Sequence, residues 1–392
     1  MTSAPHGGIG RRIAYHRSVA RLTQQQLADA ATIHVGTLRK IERGARGAGD
    51  GILESIAAAL GIDPSLLLAD WEQASSRIRA ALPALSAAIA AYDLPDDGPV
   101  RPLPELRTAV AQATAWRLGS QYVRIVGHVP QLLAELFRAV QAAPERDPDV
   151  ARLVASALRS ADAVAFKFGA HDLSARFIEL MRWACAAADD PILDSAVAYT
   201  RTETFFAAHA HERGLRALEI AIDAAPPPGD VPATAARGAL HMRAAVIAGR
   251  AGDVDAANTH LAEARRLGDQ VPEAIYAGTA FGPSSVRIHE VSVAVSLGSE
   301  HVHRALEVAQ EWAPPSELPA ERRSGFYIEL ARAQLWSGLP DDAFESLKVA
   351  RKVAPQHTRD HRWVREDAAT LRRLKRADTE SLTNFAEWCH AT

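Results

Sequence analysis

The sequence predicts an all-α protein, with a short N-terminal bundle of five helices followed by a long array of helical hairpins. Two observations support this prediction: apolar residues recur at helical spacing along most of the 392 residues, and small and large residues repeat at fixed offsets in the second half. A chain of this length exceeds one ordinary core, so at least two units are expected. We predict an N-terminal domain over residues 1–69, a helix with a proline-rich linker over 70–102, and a repeat domain over 103–392.

Composition indicates a globular protein that works in water. Hydrophobic residues make up 48% of the chain and charged residues 23%. The first residues, MTSAPHGGIGRR, lack the apolar core of a signal peptide, and we expect no membrane span. The two cysteines, Cys185 and Cys389, lie far apart without a CxxC pair. These features predict a reducing, cytoplasmic location without a disulfide framework.

Charge is distributed unevenly along the chain. Residues 8–46 hold eight basic and two acidic side chains, a net charge of +6, whereas the whole chain carries −3. A basic cap on an acidic body indicates nucleic-acid contact through the cap alone. A solvated basic face is the alternative interpretation at this point.

The first three N-terminal helices have clear start and stop signals. The first is expected over about Ile9–Arg21, and the second follows Thr23, where a glutamine three residues later completes a capping box. The third is expected over Val35–Arg43 and ends at Gly44, a residue suited to a helix C-terminus. The connection between the second and third helices is short, so the chain must turn sharply there.

Two more helices complete the predicted bundle. Asp50 is expected to cap the fourth helix, GILESIAAAL, and Gly61 to end it. The dipeptide Asp63-Pro64 opens a short fifth helix that reaches Leu68. The five helices therefore occupy about 60 residues.

This N-terminal stretch resembles the Xre, or lambda-repressor/Cro-type, helix-turn-helix domain. The segments LTQQQLA, KIERG and IAAALGID carry the resemblance. It implies that Gln24, at the start of the second helix, holds a DNA phosphate and that the third helix enters the major groove. The DNA-binding residues that the resemblance implies are Gln24, His34, Val35, Gly36, Thr37, Arg39, Lys40 and Arg43. It also implies that Ala28, Ile33, Leu38 and Ile41 form the core between the helices.

The sequence departs from this family at Val35 and Gly36, where polar residues are common. Neither residue can make the bidentate contact that identifies a guanine or an adenine. Sequence reading then depends on Thr37, Lys40 and DNA shape. A domain that has lost DNA binding and now contacts another protein is the alternative.

Beyond Leu103 almost everything is predicted as helix, in repeated hairpins. The segments SGLPDDAFESLKVARKVAP and AGDVDAANTHLAEARRLGD place glycine, alanine and leucine at the same offsets. They resemble the second helix of a tetratricopeptide repeat, in which alanines let paired helices pack closely. We predict five hairpins from Ala151, one before them over Leu103–Ala143, and a capping segment from Asp360.

The first helices of these hairpins are expected to line a concave wall. Alignment of the hairpins brings polar and aromatic residues into two neighbouring columns, whose candidate effector ligands are Glu203, Phe206, Arg243, His289, Glu329 and Arg332. Mixed charges in an otherwise apolar array can anchor a small molecule or a peptide. The alternative is that these residues pair with each other between neighbouring hairpins.

No motif indicates catalysis. The pairs His209/His211 and His301/His303 fall at predicted hairpin turns without a nearby acid or cysteine, so we expect no metal site. No GxSxG or HExxH motif occurs, and we expect no cofactor and no enzymatic activity.

The order of parts resembles that of one-component regulators with repeat domains, a layout that peptide-pheromone receptors of Gram-positive bacteria share. This resemblance implies a sequence-specific regulator that binds a double-stranded DNA operator as a homodimer. It also implies that the repeat domain senses a small-molecule or peptide effector. The alternative is a non-enzymatic scaffold whose repeat domain binds a partner protein.

Overall fold

The computed structural model describes residues 9–62, 67, 71–142, 147–374 and 379–391. Its described elements are α helices, one short 3-10 turn and one two-stranded sheet. The chain divides into two compact units, which we call the N-terminal unit and the array unit. The N-terminal unit extends to Ala81 and includes Gln121–Gly127, whereas the array unit holds Leu82–Ser120 and the residues from His128 onward. The predicted linker role of residues 70–102 stays a prediction.

The N-terminal unit contains the first four predicted helices in the predicted order. They are α1 (Ile9–Val19), α2 (Gln24–Ala30), α3 (Val35–Glu42) and α4 (Asp50–Ala59), and the next helix, α5 (Trp71–Ala90), continues from this unit into the array unit. The predicted fifth helix over residues 63–68 lies outside the described residues, apart from Leu67, which is a buried turn residue. The helix α5 continues through Pro83.

Local signals in this unit act largely as predicted. Thr23 Oγ1 accepts a hydrogen bond from the Gln26 backbone at 3.1 Å, and Gln26 Oε1 accepts one from the Thr23 backbone at 2.8 Å, which confirms the capping box. Gly44, with φ of 73°, follows the end of α3 as predicted. The prediction for Asp50 is wrong: α4 begins at Asp50 itself, because extended backbone at Gly49 takes the N-cap position without a side-chain cap.

The predicted core of the N-terminal unit is confirmed. Ala28, Leu38 and Ile41 are buried, and Ile33 packs against them while partly exposed. Gly10 lets α1 approach the end of α3, because a Cβ atom there would lie 2.0 Å from the carbonyl oxygen of Ile41. The angle between α1 and α3 thus depends on a glycine.

The array unit contains the five predicted hairpins, with one pair before them and three helices after them. The preceding pair is α6 (Leu103–Leu118) and α7 (Tyr122–Ala142). The start of α7, up to Gly127, belongs to the N-terminal unit. The five hairpins are α8 (Pro148–Lys167) with α9 (His171–Ala188), α10 (Pro191–Ala207) with α11 (His211–Ala224), α12 (Val231–Ala251) with α13 (Val254–Gly268), α14 (Pro283–Leu297) with α15 (His303–Glu311), and α16 (Ala320–Trp336) with α17 (Pro340–Val353). The last helices are α18 (Pro355–Asp360), α19 (Arg362–Leu374) and α20 (Thr379–Trp388).

Small residues bring the two helices of a hairpin together, as the sequence predicts. Ala257 and Ala264 of α13 are fully buried, and so are Ala343 and Ala350 of α17. An alanine at a helix contact lets two backbones approach, because its side chain adds one methyl group only. The small residues therefore account for the close pairing of α12 with α13 and of α16 with α17.

A β-hairpin interrupts the helices where only helix was expected. Its strands, β1 (Ala274–Tyr276) and β2 (Thr279–Phe281), are antiparallel and lie between α13 and α14. The fully buried Phe281 packs onto Gly238 of α12, where a Cβ atom would lie 2.0 Å from the ring. The hairpin is thus anchored in the core of the array.

The array closes on itself through its first helices. The helices α8, α10, α12, α14 and α16 pack side by side in that order. Lys167 Nζ at the end of α8 lies 2.8 Å from Glu321 Oε1 at the start of α16. The first and fifth hairpins therefore meet, and we call the side chains that these five helices direct towards each other the inner face.

Candidate functional site

The turn between α2 and α3 fixes the direction of α3. Ala31 ends α2, and Thr32 adopts the left-handed conformation with φ of 55°. The backbone N–H of Thr32 donates to Asp29 at 3.1 Å, and that of Ile33 donates to Ala28 at 2.9 Å. These two hydrogen bonds reverse the chain within three residues, so α3 leaves at a sharp angle.

His34 and Gly36 form the start of α3 together. The His34 Nδ1 atom accepts a hydrogen bond from the Gly36 backbone at 3.1 Å and so caps the helix. A Cβ atom at residue 36 would lie 3.0 Å from that nitrogen, so glycine lets the imidazole approach. Val35 is partly buried and packs against the core. The apolar Val35 and the glycine at residue 36, which replace the polar residues common in the family, are thus explained by packing and capping at the start of α3.

Glu42 joins α1, α2 and α3 in one hydrogen-bond network. Arg17 Nε lies 2.7 Å from Glu42 Oε1, and Gln24 Nε2 donates to Glu42 Oε2 at 2.6 Å. The Glu42 side chain is only 6% exposed. A charged group at this burial needs such partners, and the network in turn fixes the orientation of the Gln24 amide. One amide hydrogen of Gln24 is left to donate elsewhere.

The basic side chains of α3 point away from this network. Arg39, Lys40 and Arg43 are exposed, and Thr37 is partly exposed. Arg43 Nε donates to the Arg39 carbonyl oxygen at 3.1 Å, which holds its stem against the helix end. Among the described residues, none of these three cations forms an ion pair. A positively charged helix surface can therefore contact phosphate groups.

In the array unit, the predicted effector ligands are largely engaged with each other and with neighbouring helices. Arg243 Nη2 lies 3.7 Å from Glu203 Oε1, and Arg243 Nε donates to Thr202 Oγ1 at 2.6 Å. Phe206 packs beneath the Arg243 guanidinium, 4.9 Å from the ring centroid. These contacts join α10 to α12.

The remaining three candidates lie farther along the inner face. His289 Nε2 lies 3.2 Å from Arg322 Nη1, and Glu329 accepts a short hydrogen bond from Ser292. Arg332 Nη2 lies 2.9 Å from Asp367 Oδ1 of α19. Both Arg332 and Asp367 are buried, so this ion pair connects α16 to the last helices.

The inner face also holds arginines that sequence reasoning missed. Arg159 of α8 and Arg322 of α16 lie there, with Tyr199 between them. Arg117 of the preceding helix α6 donates to the turn of the β-hairpin, as Arg159 does. Tyr199 lies one helical turn before Glu203, and Arg322 lies two turns before Glu329. Extending the two predicted columns by two helical turns towards the start of each first helix would have found Tyr199 and Arg322. The position of Arg117 could not be found in this way, because it depends on the curvature of the array.

The inner face carries more positive than negative charge. Burial, with Glu203 next to it, raises the pKa of Asp162 well above its usual value, and burial also raises the pKa of Glu203. Burial and the neighbouring Arg117 lower the pKa of Arg159 to about 9. The guanidinium groups therefore repel each other, while burial favours the neutral forms of Asp162 and Glu203.

The fold and the geometry of α2 and α3 define a helix-turn-helix domain, which is joined to an array of helical hairpins. The sequence model of the helix-turn-helix family matches residues 20–67. Helix-turn-helix domains are a class of DNA-binding module in which the second helix of the motif lies in the major groove. In this chain, α3 is the second helix of the motif.

Comparison with whole proteins adds little. No curated protein matches the chain. Among solved structures, the crystal structure of Bacillus thuringiensis PlcR in complex with the peptide PapR7 and DNA is similar at 17% identity and a TM-score of 0.28. The match covers 67% of this chain and 94% of that chain. At this level the likeness carries no functional argument.

Membrane-spanning helices and metal-binding clusters are both absent from the described residues. No described helix combines the length and the apolar character that crossing a membrane requires. Within the same residues, no group of three or more His, Cys, Asp or Glu side chains is arranged to hold a metal ion.

Proposed function

We propose that this protein is a transcription regulator that binds a two-fold DNA operator through α3 and senses an effector through its array unit. The observation that supports the DNA-binding part is the exposed basic surface of α3 together with the partly buried Arg17–Glu42–Gln24 network beside it. The network orients one phosphate donor, and the exposed cations supply charge. Two copies would place two such helices about one DNA turn apart.

In this proposal the residues of the motif have different roles. Gln24 and Arg43 bind phosphates and position the domain, whereas Thr37 and Lys40 contact base edges. His34, Val35, Gly36 and Arg39 lie at the same surface, with His34 and Gly36 shaping the helix start. Sequence selectivity then comes from few side chains and from DNA shape.

The proposal is tested by selecting genomic fragments with the full chain at about 50 and 200 mM salt. We expect a palindromic site, with affinity falling roughly a thousandfold between these concentrations. Gln24→Ala and Arg43→Ala should weaken binding to all sequences about equally, whereas Thr37→Ala and Lys40→Ala should change base preference at one position.

Arg182→Ala is the matched control, because Arg182 is an exposed arginine of the array unit that pairs with Glu179 in α9. It should leave DNA affinity unchanged. Binding that is weak, indifferent to sequence and equal in all five variants would contradict the proposal. It would favour the scaffold function instead.

For the array unit, we propose that the inner face binds the effector. The predicted ligands Glu203, Phe206, Arg243, His289, Glu329 and Arg332 all lie on the first helices of the hairpins, and four of them bond to a neighbouring first helix. An effector that exchanges with any of these contacts would alter how adjacent hairpins pack. This supports a sensing role in which binding changes the shape of the array.

A further inference from the structure

Three guanidinium groups surround the ring of Tyr199 on the inner face. The guanidinium carbons of Arg159, Arg243 and Arg322 lie 5.9, 4.8 and 6.0 Å from the ring centroid. Arg322 Nη2 also donates to the Tyr199 hydroxyl oxygen at 2.8 Å. The three arginines come from the first, third and fifth hairpins, so the curl of the array is what brings them together. We call these three arginines, with Arg117, the arginine cluster.

Most of the arginine cluster has neutral partners. Arg117 donates to the carbonyl oxygen of Gly278 at 2.7 Å, and Arg159 donates to that of Ala277 at 2.8 Å. Among the described residues, no carboxylate forms an ion pair with Arg117, Arg159 or Arg322. Arg117 is only 7% exposed, and its Nε atom has no hydrogen-bond partner among those residues. Buried arginines usually face an anion, because a buried charge without one is costly.

The acids near the arginine cluster contact a lysine, a serine or one member of the cluster, Arg243. Glu321 pairs with Lys167 at 2.8 Å, and Glu203 faces Arg243 at 3.7 Å. Asp162 accepts a hydrogen bond from Ser174 at 2.6 Å. Burial favours the neutral forms of Asp162 and Glu203 by raising the pKa of each. The cluster therefore has surplus positive charge.

Open space adjoins the arginine cluster. Gly325 lies on the same side of α16 as Arg322 and Glu329, since three and four residues separate them along the helix. A Cβ atom at Gly325 would meet nothing within 4 Å. Arg159, Arg243 and Arg322 are each partly exposed. A ligand group can therefore reach these guanidinium groups without displacing core side chains.

The tip of the β-hairpin holds two members of the cluster. Its turn residues, Ala277 and Gly278, have φ of 43° and 76°, and their carbonyl oxygens accept from Arg159 and Arg117. The left-handed conformation is unfavourable for alanine by roughly 1 kcal/mol. A carboxylate or phosphate binds a guanidinium more strongly than a neutral carbonyl does. Such an anion would compete with the tip.

We propose that the arginine cluster binds a carboxylate or phosphate group of the effector, and that this group replaces the hairpin tip on Arg117 and Arg159. The inference rests on the proposed sensing function, which it refines by naming the chemical class of the effector. Phe206, which is partly exposed beside Arg243, provides an aromatic contact for the rest of the molecule. Release of the tip would transmit binding to α12 and α14, against which the hairpin packs.

The test measures binding of inorganic pyrophosphate and of citrate to the full chain by calorimetry, at constant ionic strength. We expect saturable binding of one of these anions, which identifies phosphate or carboxylate as the preferred group. Arg159→Gln and Arg322→Gln should each weaken that binding by about tenfold. Gly325→Phe should weaken it similarly by filling the adjacent space, although it leaves every charge in place.

Two controls separate this site from other basic surfaces. Arg182→Gln and Arg266→Gln each remove an exposed arginine, from α9 and from α13; both variants should bind the anion as the wild type does. Hydrogen exchange in the wild-type chain gives a readout that does not depend on any variant folding. The amides of residues 274–281 should exchange faster when the anion is bound, because the tip loses its two arginine donors.

The inference is overturned if neither anion binds, if Arg159→Gln and Arg322→Gln bind as tightly as the wild type, or if exchange in residues 274–281 does not change. Failure of the proposed function looks different. The anion could bind with the expected variant pattern and yet leave DNA affinity unchanged. That result would support the anion site and contradict the proposed sensing function. A selected operator without anion binding would keep the DNA-binding function and contradict the inference alone.

Discussion

Arg17 of the N-terminal unit and Arg322 on the inner face of the array unit have opposite kinds of partner. In the N-terminal unit, Arg17 meets the almost fully buried Glu42 at 2.7 Å, and the pair holds three helices in place. On the inner face, Arg322 meets a tyrosine hydroxyl and a histidine, with no acid in direct contact among the described residues. An arginine opposite an acid is part of the structure, whereas an arginine opposite neutral groups can still accept an anion.

Glycine shows the same contrast. Gly10 is needed for packing, because any side chain there would collide with the backbone of α3. Gly325 borders open space on the inner face. The N-terminal unit is thus closely packed where its helices cross, and the array has room where its first helices face each other. The three predictions below examine this difference.

The largest effect is expected for Glu42→Ala. The substitution leaves Arg17 without its acid and Gln24 without its acceptor, at a site that is nearly buried. We expect a loss of about 3 kcal/mol in the free energy of unfolding of the N-terminal unit, measured by urea denaturation. Exposed pairs contribute little, so Glu179→Ala, which breaks the exposed pair with Arg182, should cost under about 0.5 kcal/mol. Equal losses in the two variants would show that Glu42 is an ordinary surface acid.

A smaller effect is expected from pH, through His357 of the array unit. Burial and the nearby Lys167 lower the pKa of His357 to about 3. Lys167 Nζ lies 3.1 Å from its Nε2 atom, and Ser324 Oγ lies 2.6 Å from its Nδ1 atom. Unfolding returns this pKa to its usual value of about 6.5, so the unfolded chain binds a proton that the folded chain does not.

The histidine therefore stabilises the fold above pH 6.5, and this contribution is lost as pH falls from 6.5 towards 3. We expect a loss of about 1.4 kcal/mol for each pH unit in that range, which is about 2 kcal/mol at pH 5. In His357→Gln this part of the pH dependence should disappear, as measured by urea denaturation at pH 7.5, 6 and 5. Identical slopes in the wild type and the variant would contradict the buried, neutral state of His357.

The smallest effect is expected for Gly325→Ala. Alanine favours the helix over glycine by roughly 0.5–1 kcal/mol, and its methyl group would enter open space, so the variant should be more stable by about that amount. Gly338 also borders open space but has φ of 74°, so Gly338→Ala should be destabilising instead. Thermal unfolding of both variants gives the comparison. A destabilised Gly325→Ala would mean that the inner face is filled there.

The sequence predicts the N-terminal unit better than the inner face, and the reason is the range of the interactions. The capping box at Thr23 and the turn at Gly44 depend on residues within four positions of each other, so a single sequence reveals them. Two columns of the inner face follow from the repeat alone. The meeting of Arg117 and Arg159 with the hairpin tip spans more than 100 residues, and no local pattern indicates it.

The β-hairpin shows a second limit of prediction. Its strands have three residues each, and the apolar run around them also suits a helix. The dipeptide Ala277-Gly278 is a weak turn signal, because asparagine or aspartate usually occupies the first position of such a turn. What fixes the hairpin is the packing of Phe281 onto Gly238, a contact between positions far apart in the chain.

The ion pair between Lys167 and Glu321 has a consequence for how the array comes apart. In an open stack each repeat contacts only its neighbours, so melting can begin at either end and travel inward one repeat at a time. Here a bond between the first and fifth hairpins joins what would be the free ends of such a stack. We therefore expect disorder at one end to disturb the other, so that the five hairpins lose order more cooperatively than an open stack of repeats does.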